Sequence, residues 1–250
     1  MESVGQDIKT SDNVSDIVKR DYRAADVFRK YGIDYCCGGK WPLGVICESG
    51  DLDAGSIIEA LRLAQYEMHF SHLINYEDWD VDFLIDFIEH VHHPYFVVAL
   101  PDITALTEGF LSKHASKYPG LTGLSQNLTD LSGTILHGIH RKQEILFPYI
   151  KQITHAHTGK EPYARLLART LKKPLEELMR TETQQVNELL LQFRVKTGSY
   201  TPPENACISH RVTFAKLREL DISLQHYRHL EYDILFPRAL AMERDLAVRE

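Results

Sequence analysis

The sequence has few cysteines, no long apolar run and no excess of basic residues. Four cysteines in 250 residues are too few for a disulfide scaffold, and the adjacent pair Cys36 and Cys37 is poorly placed to bond to itself, so free thiols in a reducing compartment are expected. The formal charge of −7 argues against nucleic acid and anionic membranes as partners, because both require clustered Lys and Arg. No stretch approaches the roughly 18 apolar residues of a membrane helix. A protein or a small molecule is the expected partner.

The N-terminal segment MESVGQDIKTSDNVSD has neither a basic start nor an apolar run. A secretion signal needs both. The sequence therefore predicts a cytoplasmic protein.

Helical periodicity runs along most of the chain, while the strand signal is weak everywhere. Residues 14–31 predict one helix that stops at Gly32, and a second short helix is expected after Asp53. These helices predict a small helical domain over residues 1–70, and the polar residues 71–80 predict a linker.

Four longer amphipathic segments follow the predicted linker. Connections rich in proline and glycine separate them, and four helices of this length favour an up-down-up-down bundle over residues 81–250. The predicted fold class is therefore all-α, with a small helical domain preceding a four-helix bundle. The segments span about 81–116, 125–151, 162–197 and 207–245.

One pattern occurs twice, at residues 137–148 and 226–237. Both segments read His-x-x-His-x-x-x-acid-Ile-Leu-Phe-Pro. The repeat indicates that the second and fourth helices of the bundle occupy equivalent positions.

The acidic residue of each repeat stands four positions after a histidine, in the pairs His140 with Glu144 and His229 with Asp233. Side chains at i and i+4 share one helix face, so each pair could offer two ligands to a metal. The alternative is that both pairs are solvated or ion-paired surface residues.

The segment 21–40, DYRAADVFRKYGIDYCCGGK, resembles the N-terminal domain of the iron-sulfur cluster repair di-iron proteins, the RIC family. The resemblance runs in order from about residue 14 to 240, and it implies a hemerythrin-like four-helix bundle that holds two non-haem irons. It also implies a cytosolic stress-response protein that restores iron-sulfur proteins after nitric oxide or oxidative damage. Further matches are His92-His93 followed by Leu100-Pro101, both Ile-Leu-Phe-Pro motifs, and Tyr200-Thr-Pro-Pro-Glu-Asn-Ala-Cys207.

The RIC resemblance implies histidine ligands on all four helices and glutamate ligands on the second and fourth. In those two helices the positions carried over without gaps are Gly138, Lys142, Tyr227 and Glu231. Only Glu231 has a ligand side chain of the implied type. The histidine position of the third helix falls on Thr183, whereas the first helix keeps His92 and His93.

Apolar periodicity places these substituted positions inside the bundle. Gly138 and Lys142 fill a gap in the apolar seam of the second helix, and the seam of the fourth passes through Tyr227 and Glu231. A buried carboxylate is costly without a cation, so the Lys142 ammonium is expected to take roughly the place of the lost irons. The predicted network consists of Lys142, Glu182, Tyr227, Glu231 and His92.

The sequence leaves two hypotheses about the metal site. In the first, the protein is a metal-free member of the family that keeps the fold and the cysteine domain. In the second, it binds iron through a rearranged ligand set. That set is drawn from His92, His93, His137, His140, Glu144, His226, His229, Glu231 and Asp233. The sequence leaves open whether the protein forms a homodimer.

The residues Cys36 and Cys37 follow Gly32 in a predicted turn. The resemblance implies thiol chemistry or metal exchange there, and Lys40 and Arg29 nearby in sequence would favour a thiolate. A redox enzyme that acts through these two cysteines alone is a third functional class. The alternative is that the thiols simply pack against a glycine turn.

Overall fold

The computed structural model is helical, and it describes residues 8–36, 39–65, 74–114, 116–159, 175 and 183–248. Within these ranges there is no β-strand, which confirms the predicted all-α class. No helix in the same ranges combines the length and the apolar character needed to cross a membrane.

The chain forms two compact units, which we call the small unit and the bundle unit. The small unit contains Met1–His72 with Tyr200–Leu217, and the bundle unit contains Leu73–Ser199 with Arg218–Glu250. The sequence prediction placed Tyr200–Leu217 with the bundle. Residues 71–73 of the predicted linker lie outside the described residues.

The small unit begins with four short helices around an apolar core. The helices are α1 (Val14–Arg20), α2 (Ala24–Lys30), α3 (Leu43–Ser49) and α4 (Ala54–Gln65). The core includes Val14, Ile17, Phe28, Leu43, Ile57 and Leu61, each at most 1% exposed. Lys216 also belongs to this unit, where its Nζ lies 2.6 Å from Asp26 Oδ2 and above the ring of Tyr22.

The single helix predicted over residues 14–31 is interrupted, and the prediction was wrong on this point. Asp21 ends α1 with an extended backbone, at φ −144°. Its carboxylate accepts hydrogen bonds from the backbone N–H of Arg23 at 3.0 Å and from the Arg23 guanidinium. Hydrogen bonds between a side chain and the nearby backbone compete with a continuous helix. For this reason α1 ends at Arg20, and α2 begins as a separate helix at Ala24.

Longer helices make up the bundle unit. Helix α5 comprises Val81–Phe87, a π-helical turn at Ile88–His92, and His93–His114. Helix α6 comprises Leu124–Arg141, a π turn at Lys142–Leu146, and Phe147–Thr158. Helix α7 is Thr183–Thr197, and α8 comprises Ile208–Arg228, a π turn at His229–Leu235, and Phe236–Val248. Residues of α8 up to Leu217 count with the small unit.

Polar contacts between neighbouring helices fix an antiparallel register. Between α5 and α6, the hydroxyls of Thr104 and Ser132 lie 3.4 Å apart, and Lys151 Nζ lies 2.7 Å from Asp86 Oδ1. Between α7 and α8, the Arg194 guanidinium makes two 2.7 Å bonds to the Asp221 carboxylate, and the Arg228 guanidinium donates a bond to the Asn187 side chain. The up-and-down course of the bundle follows from these pairings.

The predicted apolar seams are buried wherever they are described. A seam of this kind supplies most of the stability of a bundle helix, because burial removes apolar area from water. The buried seam residues are Leu128, Leu131, Ile135, Leu146 and Tyr149 on α6, Val186, Leu189 and Phe193 on α7, and Leu217, Leu220, Leu224 and Leu235 on α8.

Candidate functional site

Three helices of the bundle unit widen into a π turn just before a residue-proline pair. A proline has no N–H to donate, and its ring collides with the carbonyl one α-helical turn earlier. A wider turn before the proline relieves this conflict, and such turns are frequent at functional sites. The π turns of α5, α6 and α8 precede His93-Pro94, Phe147-Pro148 and Phe236-Pro237. The repeated Ile-Leu-Phe-Pro motif thus marks two π turns that the periodicity analysis treated as regular helix.

Close to these π turns, the buried side chain of Lys142 is hydrogen-bonded to the buried side chains of Glu231 and Tyr227. Its Nζ donates a 2.8 Å hydrogen bond to Glu231 Oε2 and a 2.9 Å hydrogen bond to the Tyr227 hydroxyl. The same ammonium lies 4.9 Å from the centroid of the Tyr227 ring. Glu231 is 0% exposed, Tyr227 3% and Lys142 7%, and Gly138 is also buried. Charge-assisted bonds of this kind gain strength where water is excluded.

The phenol of Tyr227 is held in its neutral form. Burial raises its pKa well above the usual value, and the negative charge of Glu231 raises the pKa further, whereas Lys142 acts in the opposite direction. The hydroxyl is therefore available as a hydrogen-bond donor as well as an acceptor.

The two histidines at the π turn of α5 are both buried. His93 Nε2 lies 3.3 Å from the Tyr227 hydroxyl, and its ring stacks on Phe147 with an interplanar angle of 8°. Burial, followed by the charge of Lys142, lowers the pKa of His93 to about 3. Burial, followed by the neighbouring His226, lowers the pKa of His92 to about 4. Both imidazoles are therefore neutral at pH 7.

Sequence analysis named His226 only within the rearranged ligand set, and the structure brings its ring to this site. Its half-buried ring lies 5.1 Å from His92 and 5.5 Å from Tyr76, measured between centroids. Burial lowers the pKa of His226 as well. A sequence signal was present, because aromatic residues occur at helix-like spacing just before and within α5. They are Tyr76, Trp79, Phe83 and Phe87.

The other predicted ligands lie on the surface. His140 and Glu144 are exposed on α6, and His229 and Asp233 are exposed on α8. His229 Nδ1 lies 2.8 Å from Asp233 Oδ2, and these side chains are 52% and 66% exposed. The structure does not bring these four residues to the buried group around Lys142. Glu182 lies outside the described residues, and so does the side chain of Thr183.

A di-iron centre requires several imidazole and carboxylate ligands that converge on the same point. No group of three or more His, Cys, Asp or Glu side chains in the described ranges could hold a metal ion. Glu231, the glutamate kept at an implied ligand position, is instead bonded to the Lys142 ammonium at 2.8 Å. The described side chains therefore do not fit a pair of irons.

The cysteine turn of the small unit is described only in part, because Cys37 lies outside the described residues. Cys36 is half-buried, and its backbone N–H donates a 2.8 Å bond to Asp34 Oδ1. Gly39 closes the turn against α1, where its carbonyl accepts a 2.8 Å bond from the N–H of Ser15. A Cβ on Gly39 would lie 2.4 Å from the Tyr35 carbonyl oxygen, so this turn requires glycine.

Comparison with known proteins covers both units. Residues 10–65 match the family model ScdA_N, described as "Domain of Unknown function (DUF542)". The chain is 31% identical over 225 residues to the "Iron-sulfur cluster repair protein YtfE" of Escherichia coli O81 (strain ED1a), over 88% of this chain and 93% of the relative. Proteins of the same name from Escherichia coli O1:K1 / APEC and Escherichia fergusonii are 30% identical over the same shares. The chain belongs to the YtfE family of iron-sulfur cluster repair proteins. This finding confirms the RIC membership predicted from the sequence.

Membership in the YtfE family gives the site its context. The matched length spans most of the chain, so it includes both the cysteine segment and the bundle. In this member of the family, Lys142 and Glu231 are buried within π turns, and Gly138 and Tyr227 are buried one helical turn before them.

Proposed function

We propose that this protein acts in iron-sulfur cluster repair without a di-iron centre, and that the Lys142 ammonium supplies the positive charge in its bundle. The observation that carries the second part is the buried Lys142–Glu231 ion pair, at 2.8 Å. Family membership supports the first part.

Charge balance explains why a lysine suits this position. Removing an ionised carboxylate from water costs several kcal/mol unless a cation and hydrogen bonds compensate for the lost hydration. Glu231 is fully buried, and Lys142 provides both the cation and a direct bond. The Tyr227 hydroxyl accepts a second hydrogen bond from the ammonium, at 2.9 Å.

The proposed clients are cytoplasmic iron-sulfur proteins damaged by nitric oxide or oxidants. Thiol chemistry or metal exchange at Cys36 and Cys37 is the proposed active step. Among the described residues of the bundle, no group of three or more His, Cys, Asp or Glu side chains could hold a metal ion.

The competing proposal is an iron site built from a rearranged ligand set. It would require His140, Glu144, His229 and Asp233 to leave the surface and turn toward Glu231. The exposed hydrogen bond between His229 and Asp233 counts against this rearrangement, because each side chain already has a partner at the surface.

Repair activity and iron content should be measured on the same preparation, from cells grown in iron-replete medium. We expect the wild-type chain to restore activity to a dehydratase whose cluster was damaged by nitric oxide, with iron far below two ions per chain. The Cys36→Ser, Cys37→Ser variant should lose repair. The Cys207→Ser variant is the matched control, because this half-buried thiol also lies in the small unit.

Two results would contradict the proposal. If the cysteine variant repairs as well as the wild type, the thiols are not the active groups. If repair appears only after two irons per chain are loaded, the bundle does hold a metal centre.

A further inference from the structure

A line of aromatic rings joins the buried Tyr227 to the surface of the bundle unit. The centroid of Tyr227 lies 5.9 Å from that of His92, and His92 lies 5.5 Å from Phe87. Phe87 lies 5.2 Å from Trp79, and Trp79 lies 4.8 Å from Phe83. Each step is within the 4.5 to 7 Å range of directly packed aromatic pairs.

A second branch connects His92 to Trp79. From His92 the rings continue to His226 at 5.1 Å, then to Tyr76 at 5.5 Å, and then to Trp79 at 4.9 Å. The path between His92 and Trp79 therefore does not depend on Phe87 alone.

Exposure increases along this line. Tyr227 is 3% exposed and His92 8%, whereas Trp79 is half-buried and Phe83 is 54% exposed. The line therefore starts in a dry polar centre and ends where an external molecule can touch it. Trp79 is held at that end by Arg238, whose guanidinium donates a 2.7 Å bond to the Trp79 carbonyl.

We propose that Tyr227 is a one-electron redox site that exchanges electrons with an outer-sphere one-electron oxidant at the Trp79–Phe83 edge. This function goes beyond cluster repair and does not depend on the cysteine chemistry. Its basis is the contiguous ring path together with the hydrogen bonds of the Tyr227 hydroxyl.

The proposed step accounts for one electron and one proton. The Tyr227 phenol gives up one electron, the rings carry it to the oxidant, and the oxidant is reduced by one electron. The O–H bond of Tyr227 breaks, and its proton passes to the Glu231 carboxylate, which is bonded to the same Lys142 ammonium and becomes a carboxylic acid. A neutral tyrosyl radical remains, and Lys142 still donates to its oxygen.

Electron and proton are expected to leave together. A phenol radical cation would carry a positive charge within hydrogen-bond distance of the Lys142 ammonium, where like charges repel strongly in a buried site. Transfer of the proton to Glu231 avoids that state.

The test uses a ruthenium polypyridyl photosensitiser attached to an introduced cysteine. The background carries Cys36→Ser, Cys37→Ser and Cys207→Ser, and it keeps the buried Cys47. Phe83→Cys places the sensitiser beside Trp79. Val195→Cys on α7, which is 73% exposed, is the matched control away from the rings.

Flash oxidation from position 83 should give a tyrosyl radical, detected by electron paramagnetic resonance, that forms more slowly in heavy water. Both the Tyr227→Phe variant and labelling at position 195 should lose this signal. Circular dichroism of each variant checks that the bundle is intact. A radical that persists in Tyr227→Phe, or an equal yield from the two labelling positions, would overturn the proposal.

Discussion

The Lys142→Ala variant should unfold with a free energy lower by about 3 to 5 kcal/mol, because it leaves the buried Glu231 carboxylate without its cation. For a chain of this size, such a loss corresponds to a melting temperature lower by roughly 10 °C. Chemical denaturation followed by circular dichroism measures the difference.

Two further variants separate the ion pair from simple loss of side-chain volume. Lys151→Ala is the matched control on the same helix, since Lys151 pairs with Asp86 at a partly exposed site and should change stability by less than about 1 kcal/mol. Adding Glu231→Gln to Lys142→Ala should recover part of the loss, because the uncompensated charge is removed. A midpoint for Lys142→Ala equal to that of Lys151→Ala would contradict the account.

Acid should destabilise the bundle unit through its two buried histidines. The folded-state pKa values, about 4 for His92 and about 3 for His93, lie below the unfolded value of 6.5. A depressed folded pKa means that the unfolded chain binds protons first, so the stability present above pH 6.5 is lost as the pH falls through this window. At pH 4 the loss is about 3 kcal/mol for each histidine.

The His92→Phe variant isolates one of these contributions. The variant keeps an aromatic ring at position 92, but this ring cannot bind a proton. The free energy of unfolding of the variant minus that of the wild type should therefore rise by about 2 to 3 kcal/mol when the pH is lowered from 7 to 4.5. Urea denaturation at the two pH values measures this change. A constant difference between the two proteins would show that His92 is protonated equally in the folded and unfolded chains.

Much of the bundle could be predicted because its helices follow simple apolar periodicity. The seams through Leu131 and Ile135 on α6 and through Leu220 and Leu224 on α8 are buried as expected. Periodicity failed at Asp21, where a local hydrogen bond to Arg23 competes with the helix. It also missed the π turns, although the Phe-Pro pairs after two of them carried the signal in their missing N–H groups.

Apolar periodicity could also predict the inner residues of the site, but it could not predict the side chains that pack against them. Apolar periodicity places Lys142 and Glu231 on inward faces of their helices. It does not identify His226, whose side chain lies beside the apolar seam of α8. That ring lies 5.5 Å from the ring of Tyr76, which stands in a short helical turn before α5. The helix-like spacing of the aromatic residues there carried a signal, but it did not show which histidine they contact. Contacts between segments far apart in sequence depend on packing rather than on local pattern.

An iron-edge anomalous diffraction experiment tests the central claim most directly, with crystals of protein produced in iron-replete medium. We predict no anomalous peak between α5, α6 and α8, and density for the Lys142 ammonium within hydrogen-bond distance of Glu231 and Tyr227. Two anomalous peaks at that position, with Lys142 turned outward, would contradict the account.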